Sequence, residues 1–173
     1  MLKVTPLTPS IGAIISKVSL NKDLNSGTIE QIYSALIKHQ VVFFRDQNIS
    51  PETHLKLAES FGEIDPGHPV YPHVEGHQSI VLLKNDANNR PDTNDWHKDL
   101  TFKENPPFAS ILHGVKVPKV GGDTLWASMS AAYDQLPNGW KDHLKELEAI
   151  HDMGTFRNDF YKEGGIDSVN NAL

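Results

Sequence analysis

Residues 108–128 read FASILHGVKVPKVGGDTLWAS, and this stretch decides the fold class. Two runs rich in Ile, Leu, Val and Trp flank PKVGG, residues 118–122. They read as strands over 108–117 and 123–128, joined by a turn whose glycines permit φ > 0. A strand followed directly by a strand argues against a doubly wound βαβ architecture. The chain also holds neither GxGxxG nor GxxxxGK[ST], so dinucleotide and P-loop readings have no support.

Working outward, QVVFFRD (40–46) and SIVLLK (79–84) are short apolar runs bounded by charge and read as buried strands. TIEQIYSALIKH (28–39) puts Ile29, Ile32, Tyr33, Leu36 and Ile37 on one helical stripe, with Thr28 and Gln31 as a capping box. ISPETHLKLAESFGEI (49–64) reads as a second helix, with Ser50 as N-cap, Pro51 at the first position and Gly62 as its stop. MSAAYDQLPNGWKDHLKELEAI (129–150) reads as two short helices split near Pro137.

The 173 residues predict one domain with room for a core. A net charge of −6 with scattered basic residues gives no electrostatic reason to bind nucleic acid or an anionic membrane. Zero cysteines exclude disulfides, Fe–S clusters and Cys-type zinc sites. No run approaches the length of a membrane span, and prolines interrupt the N-terminal apolar residues, so the cytoplasm is the default compartment.

Residues 94–102 read NDWHKDLTF. In an extended segment residues i and i+2 share a face, so His97 and Asp99 project together and can share a metal ion. Imidazole plus carboxylate suits Fe(II), Mn(II) or Zn(II), and one more histidine would complete a 2-His-1-carboxylate triad. With nine histidines in the chain, a His-x-Asp triplet is close to chance expectation. On spacing alone, a surface histidine beside a turn aspartate is the commoner arrangement.

The surroundings change that weighting. TPLTPSIGA (5–13), HQVVFFRDQ (39–47), HPVYPH (68–73), NDWHKDLTF, GGDTLWAS (121–128) and HDMGTF (151–156) occur in this order. Together they resemble the taurine/alkylsulfonate branch of the Fe(II)- and 2-oxoglutarate-dependent dioxygenases, over nearly the whole chain. The resemblance implies a mixed α/β, mainly β fold: a double-stranded β-helix (jelly-roll) core with flanking helices. It also implies Fe(II) as cofactor, 2-oxoglutarate and O2 as co-substrates, and hydroxylation next to a sulfonate or sulfate ester. The products would be an aldehyde and sulfite or sulfate.

Residue by residue, His97 and Asp99 match the family's first two iron ligands, and Thr124 matches the threonine that holds a 2-oxoglutarate carboxylate. His68 and Tyr71 match the wall of the sulfonate pocket, Leu100 a position whose backbone N–H faces substrate, and Trp126 an aromatic near the metal. Thr93 stands where taurine-specific members carry an asparagine. Thr155 and Phe156 match a substrate pair only if one residue is deleted. These departures lie on the substrate side, so an alkylsulfonate or alkyl sulfate ester is expected as readily as taurine. A small carboxylate substrate is the alternative within the family.

Family chains carry a second iron histidine and the arginine that pairs with 2-oxoglutarate further along. His113, His143 and His151 do not sit in that distal context. The expectation is therefore residues 1–173 as the N-terminal portion of the domain, with an incomplete barrel and residues 129–173 beginning an insert. The competing readings are a non-catalytic truncated remnant and, more weakly, a zinc hydrolase using His97 and Asp99. The expected partner is a small anionic molecule, with self-association left open.

Overall fold

The first strand pair grows from a side-chain-closed turn. In the computed structural model, which describes residues 2–67, 71–86 and 96–152, β1 (Lys3–Pro6) pairs antiparallel with β2 (Ala13–Ser16), Lys3 opposite Ser16 and Pro6 opposite Ala13. Between them Thr8 Oγ1 accepts from Ile11 N (2.9 Å) and donates to Ile11 O (2.6 Å), as short hydroxyl side chains do in turns. Along β2, Ala13 and Ile15 are buried while Ile14 and Ser16 are half-buried, the alternation of a strand with one face on a core.

Helix α1 (Ser26–His39) lies on that face. Its cap is Asn25, whose Oδ1 accepts from Thr28 N at 2.8 Å. The expected box with Thr28 as N-cap is therefore shifted by three residues, and Gln31 instead donates to Gly27 O. Asn outranks Thr as an N-cap, which accounts for the earlier start. The buried stripe is narrower than the apolar pattern: Ile32 and Ala35 are buried, while Tyr33 and Ile37 are exposed. Gln40 ends the helix at φ 64, its N–H on Leu36 O.

The chain then enters β3 (Val42–Phe43), shorter than the expected 40–46 and parallel to β2. β2, α1 and β3 thus form a parallel crossover within a three-stranded sheet of order β1-β2-β3. Ile15, Ile32 and Ala35 are its centre, packed by Val4, Val42 and Phe61 among others. Helix α2 (Pro51–Glu59) starts as read, Ser50 Oγ accepting from Thr53 N at 3.2 Å and Pro51 opening the helix, but it is capped at Ser60, before the expected stop at Gly62.

β4 (His73–Val74) and β5 (His77–Val81) form an antiparallel hairpin turned at Gly76, φ 76. Farther on, α3 (Met129–Asp134) and α4 (Asn138–Leu144) are the two short helices split at Pro137. The chain divides into two compact units: Met1–Glu63 with Leu112–Leu147, and Ile64–Ile111 with Glu148–Leu173.

The expectation for residues 108–128 fails. Residues 108–117 and 123–128 form no strand, although Gly121 (φ 75) and Gly122 (φ 70) make the turn between them. A strand is held by its ladder and cross-strand side chains, and no described segment pairs with either run. Most of their apolar side chains stay in solvent, Val115 85% and Leu125 71% exposed. Helical residues consequently outnumber strand residues, and no closed barrel exists among the described residues.

Candidate metal centre

The second unit carries the His-x-Asp pair. Asp65 starts the arrangement: its Oδ1 accepts from Gly67 N (3.2 Å) and its Oδ2 from Lys103 Nζ (2.7 Å). The Lys103 and Asp65 side chains are only 20% and 27% exposed. Lys103 closes a turn in which its own N–H donates to Leu100 O at 3.1 Å. Leu100 sits at φ 53, a region that non-glycine residues rarely adopt and that is often found where function demands it. The backbone therefore turns at Asp99 and Leu100, at the carboxylate itself.

His97 and Asp99 meet as the i, i+2 spacing predicts. His97 Nε2 lies 3.2 Å from Asp99 Oδ1, with the side chains 54% and 60% exposed. Two ligands held at right angles about 2.1 Å from one ion are about 3.0 Å apart. The donor chemistry and the separation both fit a shared divalent ion. Among the described residues no group of three or more His, Cys, Asp or Glu converges on a metal position, so this pair supplies two donors.

Two further contacts hold the turn, and neither is signalled by residue spacing. Ser110 Oγ donates to Asp99 Oδ2 at 3.3 Å. His151 Nδ1 lies 2.9 Å from Thr101 Oγ1, fifty residues away in sequence. A lone serine in an apolar run and a histidine far downstream have no spacing that signals such contacts.

Tyr71 and Leu100 belong to the same unit as His97 and Asp99. Thr124 belongs to the other unit, exposed and outside any helix or strand. Trp126, also in that unit, packs edge-on against Phe43 with centroids 5.2 Å apart. His68, Thr93, Thr155 and Phe156 lie outside the described residues. A groove of about 620 Å³ runs between β1 and α1, lined by Leu2, Val4, Gln31, Ala35 and His39, and holds none of the candidate site residues.

The family model described as "Taurine catabolism dioxygenase TauD, TfdA family" matches residues 3–170. The chain belongs to this family. It is 40% identical over 151 residues to an alpha-ketoglutarate-dependent sulfate ester dioxygenase of Pseudomonas putida, covering 87% of this chain and 49% of that protein. It is likewise 40% identical to an alkylsulfatase of Acinetobacter baylyi, covering 87% of this chain and 47% of that protein. A crystal structure of a taurine dioxygenase from Burkholderia xenovorans matches with a TM-score of 0.72 and 37% identity, covering 84% of this chain and 51% of that one. The chain spans about half the length of the curated relatives it matches. No described helix is long and apolar enough to cross a membrane.

Proposed function

We propose that the protein carrying this chain is an Fe(II)- and 2-oxoglutarate-dependent dioxygenase acting on a small alkyl sulfate ester or alkylsulfonate, and that this chain contributes part of a jelly-roll domain. The observation that carries the reading is the His97–Asp99 pair at 3.2 Å in a chain of the TauD/TfdA family. His97 Nε2 and Asp99 Oδ1 would hold the metal, which with 2-oxoglutarate and O2 supplies the oxidising power to hydroxylate a C–H bond.

The remaining residues act on the organic molecules. Thr124 would donate its hydroxyl to a 2-oxoglutarate carboxylate. The Leu100 N–H, turned by a left-handed backbone, would meet the anionic head group, with His68, Tyr71 and Phe156 lining the pocket. Thr93 is shorter than asparagine and offers no amide to a substrate ammonium. Leaving a buried ammonium without one hydrogen bond costs about 1–3 kcal/mol, so an amine-free substrate is favoured. Relatives described as a sulfate ester dioxygenase and an alkylsulfatase support the same preference.

The test is turnover by the whole protein with Fe(II) and 2-oxoglutarate, comparing hexyl sulfate, hexanesulfonate and taurine. Succinate formation coupled to sulfate or sulfite release is expected, with higher kcat/KM for the amine-free compounds and loss of turnover in His97→Ala. Taurine preferred over both, with the preference persisting in Thr93→Ala, would overturn the substrate assignment. Full turnover by His97→Ala would overturn the metal assignment.

A further inference from the structure

Asp99 uses its two oxygens differently. Oδ1 faces His97 Nε2 at 3.2 Å, while Oδ2 accepts from Ser110 Oγ at 3.3 Å. A carboxylate on a short side chain can offer a metal ion one oxygen or both, and hard divalent ions take either arrangement. The second oxygen of a chelating carboxylate occupies a coordination position that a small-molecule ligand would otherwise take. A hydroxyl committed to Oδ2 therefore decides how many positions the carboxylate fills.

We propose that Ser110 is a positioning residue: its hydroxyl holds Asp99 Oδ2, so that Oδ1 alone is presented beside His97 Nε2 to a metal ion. The proposal rests on the reading of His97 and Asp99 as ligands. Ser110 is exposed, so its hydroxyl would be satisfied by water without Asp99, and the contact is not required to bury a polar group. Its effect accordingly falls on the carboxylate. Hydrogen-bonding partners of metal ligands orient them and tune affinity, and their removal typically weakens binding about 10- to 100-fold. Exposure also makes Ser110→Ala and Ser110→Thr compatible with folding.

The experiment is Co(II) titration of the whole protein by calorimetry and visible absorption, for the parent, Ser110→Ala, Ser110→Thr and His97→Ala. Ser110→Ala should bind Co(II) about tenfold or more weakly, with an altered ligand-field band as both Asp99 oxygens become available. Ser110→Thr, which keeps the hydroxyl, should stay within about twofold of the parent and retain its band. If Ser110→Ala matches the parent in affinity and band while His97→Ala binds much more weakly, the ligand reading stands and the role of Ser110 is refuted. Ser110→Thr behaving like Ser110→Ala would also refute it, because the hydroxyl would then not be the operative group. Parent-like binding by His97→Ala would remove the ligand reading, and the proposal with it.

Discussion

Replacing Asp65 with alanine tests the joint that holds the His97–Asp99 turn. The substitution removes a 2.7 Å ion pair with Lys103, whose side chain is 20% exposed, and a 3.2 Å bond from Gly67 N. Fully exposed pairs contribute about 0.2–1 kcal/mol, whereas breaking a buried pair costs about 3–5 kcal/mol. With both partners about a quarter exposed, the pairwise coupling should lie between these, at about 1.5–2 kcal/mol. Asp65→Ala alone should cost about 2–3 kcal/mol, because it also strands the lysine and the Gly67 N–H. Lys103→Met, which keeps the aliphatic stem, should cost less. The assay is a double-mutant cycle of Asp65→Ala and Lys103→Met by urea unfolding, at low and high salt. Coupling below about 0.5 kcal/mol, or coupling abolished by salt, would show that the pair behaves as a surface contact and that the turn is held elsewhere.

Three other expectations follow from single positions. Gly67 has φ +108, and a Cβ there would lie 2.7 Å from Gln78 O. Gly67→Ala should therefore destabilise by about 2 kcal/mol or more, and an unchanged urea midpoint would contradict it. Ile15→Ala should cost about 3–4 kcal/mol and Ile15→Val about 1, while Ile37→Ala, on a side chain 56% exposed, should stay within about 0.5 kcal/mol; equal losses would contradict the assigned core. The Lys56 ammonium, by hydrogen bond and then by charge, holds the Asp23 carboxyl below its ordinary value of 3.8. A depressed native pKa gives stability that is present above the unfolded value and lost as pH falls through the folded one. Asp23→Asn should thus be slightly less stable than the parent at pH 7 and converge with it in acid, and a difference that persists to pH 2 would contradict the pairing.

Local chemistry was legible where one residue type decides the outcome. Ser50 and Pro51 start α2 and Pro137 separates α3 from α4 because a capping hydroxyl and a proline ring act on the backbone beside them. The His97–Asp99 proximity was expected from a two-residue spacing, although Asp99 stands in a turn and not in a strand. Strands were less legible. Val115, Leu125 and their neighbours have β character, but pairing is decided by a partner that no local pattern contains. β1 and β2 went unread: their signal is a four-residue alternation beside Pro6 and Pro9, short enough to be hidden by the turn residues between them. Asp65–Lys103 and His151–Thr101 join residues 38 and 50 apart, separations set by tertiary structure.

The cluster around Ile15, Ile32 and Ala35 draws all its members from the first 61 residues, Leu2 through Phe61. During synthesis this nucleus can close as soon as that segment clears the ribosome exit tunnel, before residue 112 exists to rejoin the first unit. Its sequence separations are short, so closure is fast on the timescale of elongation. The nascent chain would then present a folded head while the apolar run 108–128 is still being made. A chaperone binding at that run would meet a protein already half committed, and an N-terminal fragment ending near residue 63 should emerge from limited proteolysis of stalled chains as a resistant species.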